Sequence, residues 1–423
     1  MIYIMNTYLR RGMVLMFSFV AIFSSAASCN FFEDVAGESN SSLRYGILKS
    51  DPTVYQGGYA FVNNVKNFKD YTDPKGLNPQ SGIKLIQFNK DKLYYIAQNK
   101  GLFKTSNSGK DWNRIYVYPL KGNDKKSWDQ EIANNDTFKI TDASFLNESN
   151  FYVAGTKNEV SFLYKTNDAG LTFTEIYNTL ASGKNIGIEQ VLADPRTDKS
   201  NSVIITTTGG GVFRTDDAGA SWKNVPVENS NGDQPVQMGI LSQYNNKFFI
   251  VFKNSGLYLS DNGDNFTKKA LGFASDTNDD GYFFSSGGSS YKIDKLVQSP
   301  NTQEIVLIAS KKLLLGNNLD STFQQFKIPV QPDKINITDV AIDPREGANR
   351  MLMSVDNSIF ETKNRGQSWS VDDKIKQSGI QYGNIGQIAI DPEDTRITYL
   401  MLIDPSYKRG GSNGTGFGLN FGL

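Results

Sequence analysis

Histidine is absent from the 423-residue chain, and cysteine occurs only once. Without imidazole there is no Ser-His-Asp or Cys-His nucleophilic catalysis, no histidine general base and no zinc site that depends on histidine. A single thiol also excludes a disulfide within the chain and a thiolate metal cluster. Chemistry based on paired carboxylates stays open, because aspartate and glutamate are plentiful.

The chain also lacks any excess of charge. Lysine and arginine total 44, aspartate and glutamate total 44, and the formal net charge is zero. No basic run marks a phosphate-binding stripe, so we expect no nucleic-acid partner. The length is more than one compact core usually holds, unless the chain forms a large barrel or an array of repeats.

The single cysteine follows a segment with the features of an export signal. Residues 1–12 carry Arg10 and Arg11 and no acidic residue, and the apolar run 13–23 is too short to span a bilayer comfortably. Small residues follow and end at Cys29. A basic start, a short apolar core and a site of small residues are typical of a secretory signal.

The end of this segment resembles a bacterial lipobox, although Ala26 stands where leucine is usual. The resemblance implies cleavage before Cys29, lipidation of its thiol and a location outside the cytoplasm on a bacterial membrane. The alternatives are ordinary cleavage near Ala27 or an uncleaved anchor. We therefore expect a signal peptide over residues 1–28 and a lipid-anchored polar tether over 29–42.

One short phrase recurs along the chain, in the form S/T-x-D-x-G-x-T/S-W/F. The acid or amide can accept backbone N–H groups within a turn, and glycine permits a positive φ that costs other residues about 1–2 kcal/mol. The closing aromatic ring can pack beneath the turn. The copies contain Asn107, Gly109 and Trp112; Asp168, Gly170 and Phe173; Asp217, Gly219 and Trp222; Asp261, Gly263 and Phe266; and Asn364, Gly366 and Trp369.

A sixth copy over 316–323 has lost the glycine, and the phrase lies between short apolar stretches in every copy. A period of roughly 45–60 residues suits a four-stranded propeller blade whose third and fourth strands meet at this turn. The acids of the phrase then lie one to a blade, far apart on the rim, and we predict a structural role for them.

A second repeat has the form strand, Asp-Pro or Ser-Pro turn, strand. Its copies are residues 191–207, 296–310, 340–355 and 388–402. The last copy is not followed by the first phrase, but residues 45–62 resemble the missing half. We therefore predict an all-β, seven-bladed β-propeller of four-stranded antiparallel blades over 43–405, with the last blade closed by the N-terminal strands. A flexible glycine-rich tail is expected over 406–423.

The recurring phrase resembles the Asp box of bacterial neuraminidase repeats. The whole pattern resembles photosystem II stability/assembly factor-like propellers and, more distantly, sortilin-type and xyloglucanase-type propellers. The resemblance implies an exported or anchored propeller that holds a protein or glycan partner at its rim. It does not imply a catalytic role for any residue of this chain. The alternative is a carbohydrate-active enzyme, xyloglucanase-like or another glycosidase, with an Asp/Glu pair about 5–10 Å apart at the rim.

Two further features are candidate sites. Asp276, Asn278 and Asp280 alternate as in the first half of a calcium loop, but glycine stands where the loop's glutamate belongs. The segment is therefore either a calcium site or a solvated acidic loop, and no other cofactor is expected. Trp128 and Tyr382 lie in polar stretches, where each is either a binding anchor or a cap over its own loop.

Overall fold

The computed structural model describes thirteen stretches of the chain. They are 46–50, 59–61, 82–97, 101–117, 138–179, 187–196, 201–228, 230, 232–274, 292–309, 312–329, 336–372 and 384–403. Cys29, Trp128, Tyr382 and residues 276–280 lie outside the described residues, as do the predicted signal peptide, tether and tail. The predictions for these segments stay predictions.

The described residues form a seven-bladed β-propeller, as predicted. Each blade is a sheet whose first strand lies innermost, because the first strands of neighbouring blades contact one another. Blade 7 receives two N-terminal strands, β1 (Gly46–Ser50) and β2 (Tyr59–Phe61). Among the described residues the only helical element is a 3₁₀ turn, Ser242–Tyr244.

The first three blades follow in chain order, each from its innermost to its outermost strand. Blade 1 contains β3 (Gly82–Gln87), β4 (Leu93–Ala97), β5 (Gly101–Thr105) and β6 (Asn113–Ile115). Blade 2 contains β7 (Lys139–Phe145), β8 (Phe151–Lys157), β9 (Val160–Thr166) and β10 (Thr174–Asn178). Blade 3 contains β11 (Ile188–Ala193), β12 (Val203–Thr207), β13 (Val212–Thr215) and β14 (Lys223–Asn224).

The remaining blades continue in the same order. Blade 4 contains β15 (Pro235–Leu241), β16 (Lys247–Phe252), β17 (Gly256–Ser260) and β18 (Thr267–Lys268), and is followed by β19 (Gly272–Phe273). Blade 5 contains β20 (Ile293–Gln298), β21 (Ile305–Ala309), β22 (Lys312–Gly316) and β23 (Thr322–Gln325). Blade 6 contains β24 (Ile337–Asp343), β25 (Gly347–Val355), β26 (Ser358–Thr362) and β27 (Ser370–Asp372), and blade 7 ends with β28 (Asn384–Ile390) and β29 (Thr398–Ile403).

Strands from the two ends of the chain share blade 7, which confirms the predicted closure. The strand order is β2-β1-β29-β28, and β1 pairs antiparallel with β29 from Gly46 opposite Leu402 to Ser50 opposite Thr398. This pairing uses the edge that β29 would otherwise expose. Since an unpaired edge invites association with other chains, closure protects the propeller from aggregation.

Blade 5 departs from the predicted four strands. The two-residue strand β19 pairs in parallel with β23 and makes a fifth strand on the outer edge. A similar parallel bridge joins Val227, after blade 3, to Phe266 of blade 4. The chain leaving an outer strand therefore continues along the outer edge of the next blade, a pairing that no repeat in the sequence indicates.

The hydrophobic core is divided among the seven joints between neighbouring blades. Each of seven clusters combines buried side chains from two adjacent blades. At the joint of blades 1 and 2, Tyr94 lies 4.6 Å from Phe145 between ring centroids, and Phe145 stacks on Phe151 at 4.4 Å. Stability therefore depends on contacts between blades, since each sheet buries its two faces against its neighbours.

Strand direction assigns every turn to one of two ends of the blades. Antiparallel strands alternate in direction, so turns from first to second and from third to fourth strands share one end, named here the lower end. The other turns lie at the upper end. The recurring phrase and the Asp-Pro turns both lie at the lower end, and residues 208–211 form a tight upper turn between β12 and β13.

Candidate functional site

The recurring phrase forms a compact hydrogen-bonded turn, called here the motif turn. In blade 3 the N–H of Gly219 donates to Thr215 Oγ1 at 2.9 Å, and the N–H of Ser221 donates to Asp217 at 2.8 Å. The Ser221 hydroxyl also donates to Asp217 at 2.6 Å. This hydroxyl, with that of Thr215, lowers the pKa of Asp217 to about 2. The acid therefore works as a charged acceptor inside its own turn.

Blades 1, 2 and 6 repeat this arrangement. The motif glycines Gly109, Gly170 and Gly366 each donate an N–H to the threonine four residues earlier, at 2.9–3.0 Å. Asn107 and Asn364 take the place of the acid in blades 1 and 6, and the N–H two residues after the glycine donates to their side-chain oxygen at 2.9 Å. An asparagine amide can therefore replace the aspartate carboxylate as the hydrogen-bond acceptor of this turn.

The motif glycine is also where neighbouring blades touch. Gly170, Gly219 and Gly366 have φ of 86°, 93° and 78°, in the left-handed region that favours glycine. A Cβ on Gly170 would lie 2.5 Å from Ile115, on the outer strand of blade 1. A Cβ on Gly366 would meet the ring of Phe326, next to the outer strand of blade 5, at under 3.0 Å. The motif turn is thus a joint between blades.

The prediction for blade 4 was wrong by one position. Asp261 does not occupy the acid's place, because this turn is one residue shorter than the others. Its side chain is exposed and pairs with Lys247. Asn262 lies inside the turn instead and accepts the N–H of Asp264 at 3.0 Å, while the N–H of Gly263 donates to Ser260 at 2.8 Å.

One polar residue on each first strand forms a second set of joints, called here the inner ring. Every member directly follows a β-bulge in the pairing of the first and second strands. The inner ring consists of Lys84, Asp142, Gln190, Gln237, Lys295, Asp339 and Gln387. The bulge places these side chains at equivalent positions in all seven blades.

Two glutamines of the inner ring hold the backbone of the next blade. Gln387 accepts the N–H of Leu85 at 2.8 Å and donates to its carbonyl at 2.7 Å. Gln237 makes the same pair of bonds with Leu296, at 2.7 and 2.8 Å. Each side-chain amide thus forms hydrogen bonds with the unpaired edge of the neighbouring first strand, as the backbone of another strand would.

Two lysine–aspartate pairs perform the same task at other joints. Lys84 Nζ lies 2.9 Å from Asp142, and Lys295 pairs with Asp339. Asp142 accepts the N–H of Val191 at 3.0 Å, and Asp339 accepts the N–H of Ile388 at 2.7 Å. Burial raises the pKa of Asp339 while Lys295 opposes that rise. Each acid therefore connects the blade before it to the blade after it.

The joint between blades 3 and 4 differs from the others. Gln190 is the ring member there, and its Oε1 is buried without a hydrogen-bond partner among the described residues. The same joint has backbone bonds at its outer edge instead: Phe266 N–H donates to Pro226 O at 2.9 Å, and Glu228 N–H donates to Phe266 O at 3.0 Å.

Sequence reasoning missed the inner ring altogether. Each member looks like an isolated polar residue in an apolar strand, and the residue types differ from blade to blade. The available signal was a shared position: every member directly precedes an apolar residue, and five of the seven follow an isoleucine by two positions, as in Ile140-Thr141-Asp142-Ala143 and Ile385-Gly386-Gln387-Ile388.

The carboxylates of the inner ring and of the motif turns in blades 2 and 3 have structural partners. The inner-ring acids bind cations and backbone N–H groups, and the motif-turn acids lie one to a blade. Within the described stretches, no group of three or more acidic or cysteine side chains is placed to hold a metal ion. None of the helical structure described there is long and apolar enough to cross a membrane.

No protein-family model matches the chain, and no curated protein matches it in sequence. Solved structures do share its fold. YCF48 bound to D1 peptide is 14% identical with a TM-score of 0.53, covering 78% of this chain and 94% of that one. YCF48 from Cyanidioschyzon merolae is 14% identical with a TM-score of 0.53, covering 77% and 96%.

The GH74 enzyme of Niastella koreensis is 14% identical with a TM-score of 0.54, and the match covers 76% of this chain. This chain spans only 51% of that enzyme. Identities this low show a common fold and no more. The chain is thus similar in fold both to YCF48, which was solved with a bound D1 peptide, and to a GH74 enzyme.

Proposed function

We propose that this chain is a non-catalytic binding and scaffold protein, whose propeller holds a protein or glycan partner at its upper end. The observation that carries the proposal is that the buried aspartates of the inner ring bind other parts of the propeller. Asp142 and Asp339 are each held by a lysine and by a backbone N–H of the next blade, so they serve the ring and not a substrate. The similarity to YCF48 bound to D1 peptide supports a peptide or protein partner.

We further propose that the motif turns are Asp boxes of the bacterial neuraminidase type. Their threonine, acid or amide, glycine and aromatic residues support this, together with the hydrogen bonds shared by blades 1, 2, 3 and 6. Because these turns lie at the lower end and join neighbouring blades, the partner is expected at the upper end.

Affinity capture from cross-linked cells tests the partner proposal. We expect the wild-type chain to capture a specific protein or glycan, and Trp128→Ala and Tyr382→Ala to reduce the yield, because these residues are the predicted anchors. Leu171→Ala is the matched control, since Leu171 is 85% exposed at the lower end. Equal loss in all three variants would contradict a binding site at the upper end.

Export and anchoring are part of the same proposal. Cys29 is proposed to carry the lipid, and several acyl chains hold a protein to a membrane effectively permanently, at about 0.8 kcal/mol per buried CH₂. Radiolabelled palmitate should enter the wild-type chain and not Cys29→Ser, and the variant should move from the membrane fraction to the soluble fraction. Labelling that persists in Cys29→Ser would refute the anchor.

A carbohydrate-active enzyme is the second candidate, and the similarity to a GH74 enzyme favours it. Such an enzyme needs two carboxylates about 5–10 Å apart in a cleft. Incubation with a panel of xyloglucans and other glycans tests this directly. Turnover that disappears when one acid of the upper end is changed to its amide would replace the binding proposal.

We propose that Asp276, Asn278 and Asp280 bind a calcium ion, whose remaining oxygen ligands come from other groups. Equilibrium dialysis with ⁴⁵Ca²⁺ should detect one bound ion in the wild-type chain. Asp276→Asn combined with Asp280→Asn should abolish it. Equal calcium uptake by the two proteins would leave the segment a solvated acidic loop.

A further inference from the structure

Three Asp-Pro turns place a fully buried aspartate at the lower end of a first strand. Asp194 of blade 3, Asp343 of blade 6 and Asp391 of blade 7 are all 0% exposed. Two of them bind a guanidinium group. Arg196 Nε lies 2.8 Å from Asp194, and Arg350 lies 2.7 Å from Asp343. Burial of these two charges is thereby compensated.

Asp391 has a different set of partners. Its Oδ1 accepts the N–H groups of Glu393 and Asp394 at 2.8 and 3.0 Å, and Gln87 Nε2 of blade 1 donates to its Oδ2 at 3.0 Å. Among the described residues no cation pairs with this carboxylate. Ile397, buried in the core between blades 7 and 1, stands where blade 6 has Arg350.

This correspondence follows from strand register. In blade 6, Met351 pairs with Thr362, and in blade 7, Thr398 pairs with Ser50 at the equivalent end of the third strand. The residue before each is Arg350 or Ile397. Blade 7 has therefore kept the buried acid of the Asp-Pro turn while an apolar side chain occupies the place of its cation.

The charged groups around Asp391 do not replace that cation. Glu393 and Asp394 of the same turn are acidic, and Arg396 is engaged with Asp394 at 2.7 Å. Two arginines of blade 6 reach this turn and donate to backbone carbonyls there, Arg345 to that of Glu393 and Arg350 to that of Thr395. Blade 1 contributes the neutral Gln87, and residues 51–58, which follow β1, lie outside the described residues. Burial raises the pKa of Asp391, and the charges of Glu393 and Asp394 raise it further.

We infer that Asp391 makes the joint between blades 7 and 1 sensitive to pH, so that the propeller is closed more tightly in mildly acidic than in neutral solution. Gln87 can form a hydrogen bond with the carboxyl group of Asp391 in both its charged and its neutral state. Its Nε2 donates to the charged carboxylate, whereas its Oε1 is buried and has no hydrogen-bond partner among the described residues. After rotation of the amide, this oxygen can accept the proton of a neutral Asp391.

The direction of the effect follows from proton linkage. A carboxyl group whose pKa is higher in the folded than in the unfolded chain contributes stability that is complete below the unfolded value and is lost as pH rises through the folded value. At neutral pH the charged carboxylate of Asp391 thus lies buried in the joint between blades 7 and 1, and protonation in acid removes that charge. Asp343 is equally buried but has the cation Arg350 beside it.

Urea unfolding of the full chain between about pH 4 and pH 8 tests the inference. Asp391→Asn keeps the size of the side chain and removes its charge, while its new Nδ2 can donate to Gln87. We expect its urea midpoint to exceed that of the wild type by about 0.3 M at pH 8 and the difference to vanish near pH 4. Asp343→Asn, the matched control, should lower the midpoint at pH 8.

A second variant keeps the test decisive if Asp391→Asn folds poorly. Gln87→Glu places two carboxyl groups face to face, so the loss of stability from about pH 5 to pH 8 should become steeper than in the wild type. Two results would overturn the inference: a midpoint for Asp391→Asn that falls at pH 8 as it does for Asp343→Asn, or a difference from the wild type that is independent of pH.

Discussion

At the scale of single residues, the motif glycine meets two requirements at once. Gly366 adopts φ of 78°, and the space where a Cβ would stand is occupied by the ring of Phe326 from the preceding blade. The backbone requirement is local and can be inferred from the phrase itself. The steric requirement is set by a residue 40 positions earlier, and only the assembled ring reveals it.

Gly366→Ala should therefore cost more than a substitution that violates the backbone requirement alone. Gly232→Ala is the matched control, because Gly232 has φ of 73° and nothing lies within 4 Å of its missing Cβ. We expect Gly232→Ala to lower the free energy of unfolding by about 1–2 kcal/mol. Gly366→Ala should lower it by about 1–3 kcal/mol more, because the ring of Phe326 must move.

Urea or thermal unfolding of both variants measures these losses. Equal losses would mean that Phe326 moves aside without cost and that the motif glycine serves its own turn only. The comparison thus separates a rule of turn chemistry from a rule of blade packing.

The same residues show what the sequence could predict. The turn and its glycine followed from a phrase that repeats in phase. The wrong choice of Asp261 arose because a turn shorter by one residue still contains an acid and a glycine, and only hydrogen bonds distinguish Asp261 from Asn262. The inner ring was missed because its members differ in residue type while sharing a position.

At the scale of elements, the motif turn carries a charge in some blades and none in others. Asp217 accepts hydrogen bonds that lower its pKa to about 2, from an ordinary value of about 3.9. An acid with a depressed pKa contributes stability that is present above the unfolded value and is lost as pH falls through the folded value. The turn in blade 3 should weaken between about pH 4 and pH 2.

Asp217→Asn should remove this dependence and keep the turn. Asn364 shows how an amide fits, since its Nδ2 donates to the Ser368 hydroxyl at 2.8 Å. The reverse change, Asn364→Asp, should add a similar acid sensitivity to blade 6. Hydrogen exchange of the turn amides between about pH 5 and pH 2, corrected for intrinsic exchange, measures both effects. An unchanged pH dependence in the two variants would show that the hydroxyl bonds do not distinguish the charged from the neutral group.

At the scale of the whole molecule, closure depends on a short N-terminal segment. Strands β1 and β2 supply half of blade 7, and β1 covers the edge of β29. Removal of residues 1–62 should leave that edge unpaired, so we expect a chain that associates into large particles in size-exclusion chromatography. Removal of residues 1–43 is the control and should leave a monodisperse protein, since it spares every described strand. Equal behaviour of the two truncated chains would contradict closure by these strands.

The inner ring allows a second test at this scale, of how much its hydrogen bonds between blades contribute to stability. Gln387→Leu leaves the N–H and the carbonyl of Leu85 buried without a partner, and each such group costs about 1–3 kcal/mol. Gln190→Leu changes the same ring position in blade 3, where the side-chain oxygen has no hydrogen-bond partner among the described residues. We expect the first variant to lose a substantial part of its free energy of unfolding and the second to lose little.

The contrast follows from how each joint is held. The joint of blades 7 and 1 depends on its inner strands, whereas the joint of blades 3 and 4 has backbone hydrogen bonds at its outer edge. Denaturant unfolding monitored by tryptophan fluorescence compares the two variants under one condition. If Gln190→Leu proved as harmful as Gln387→Leu, the joints would be equivalent, and the ring would owe its stability to the hydrophobic clusters alone.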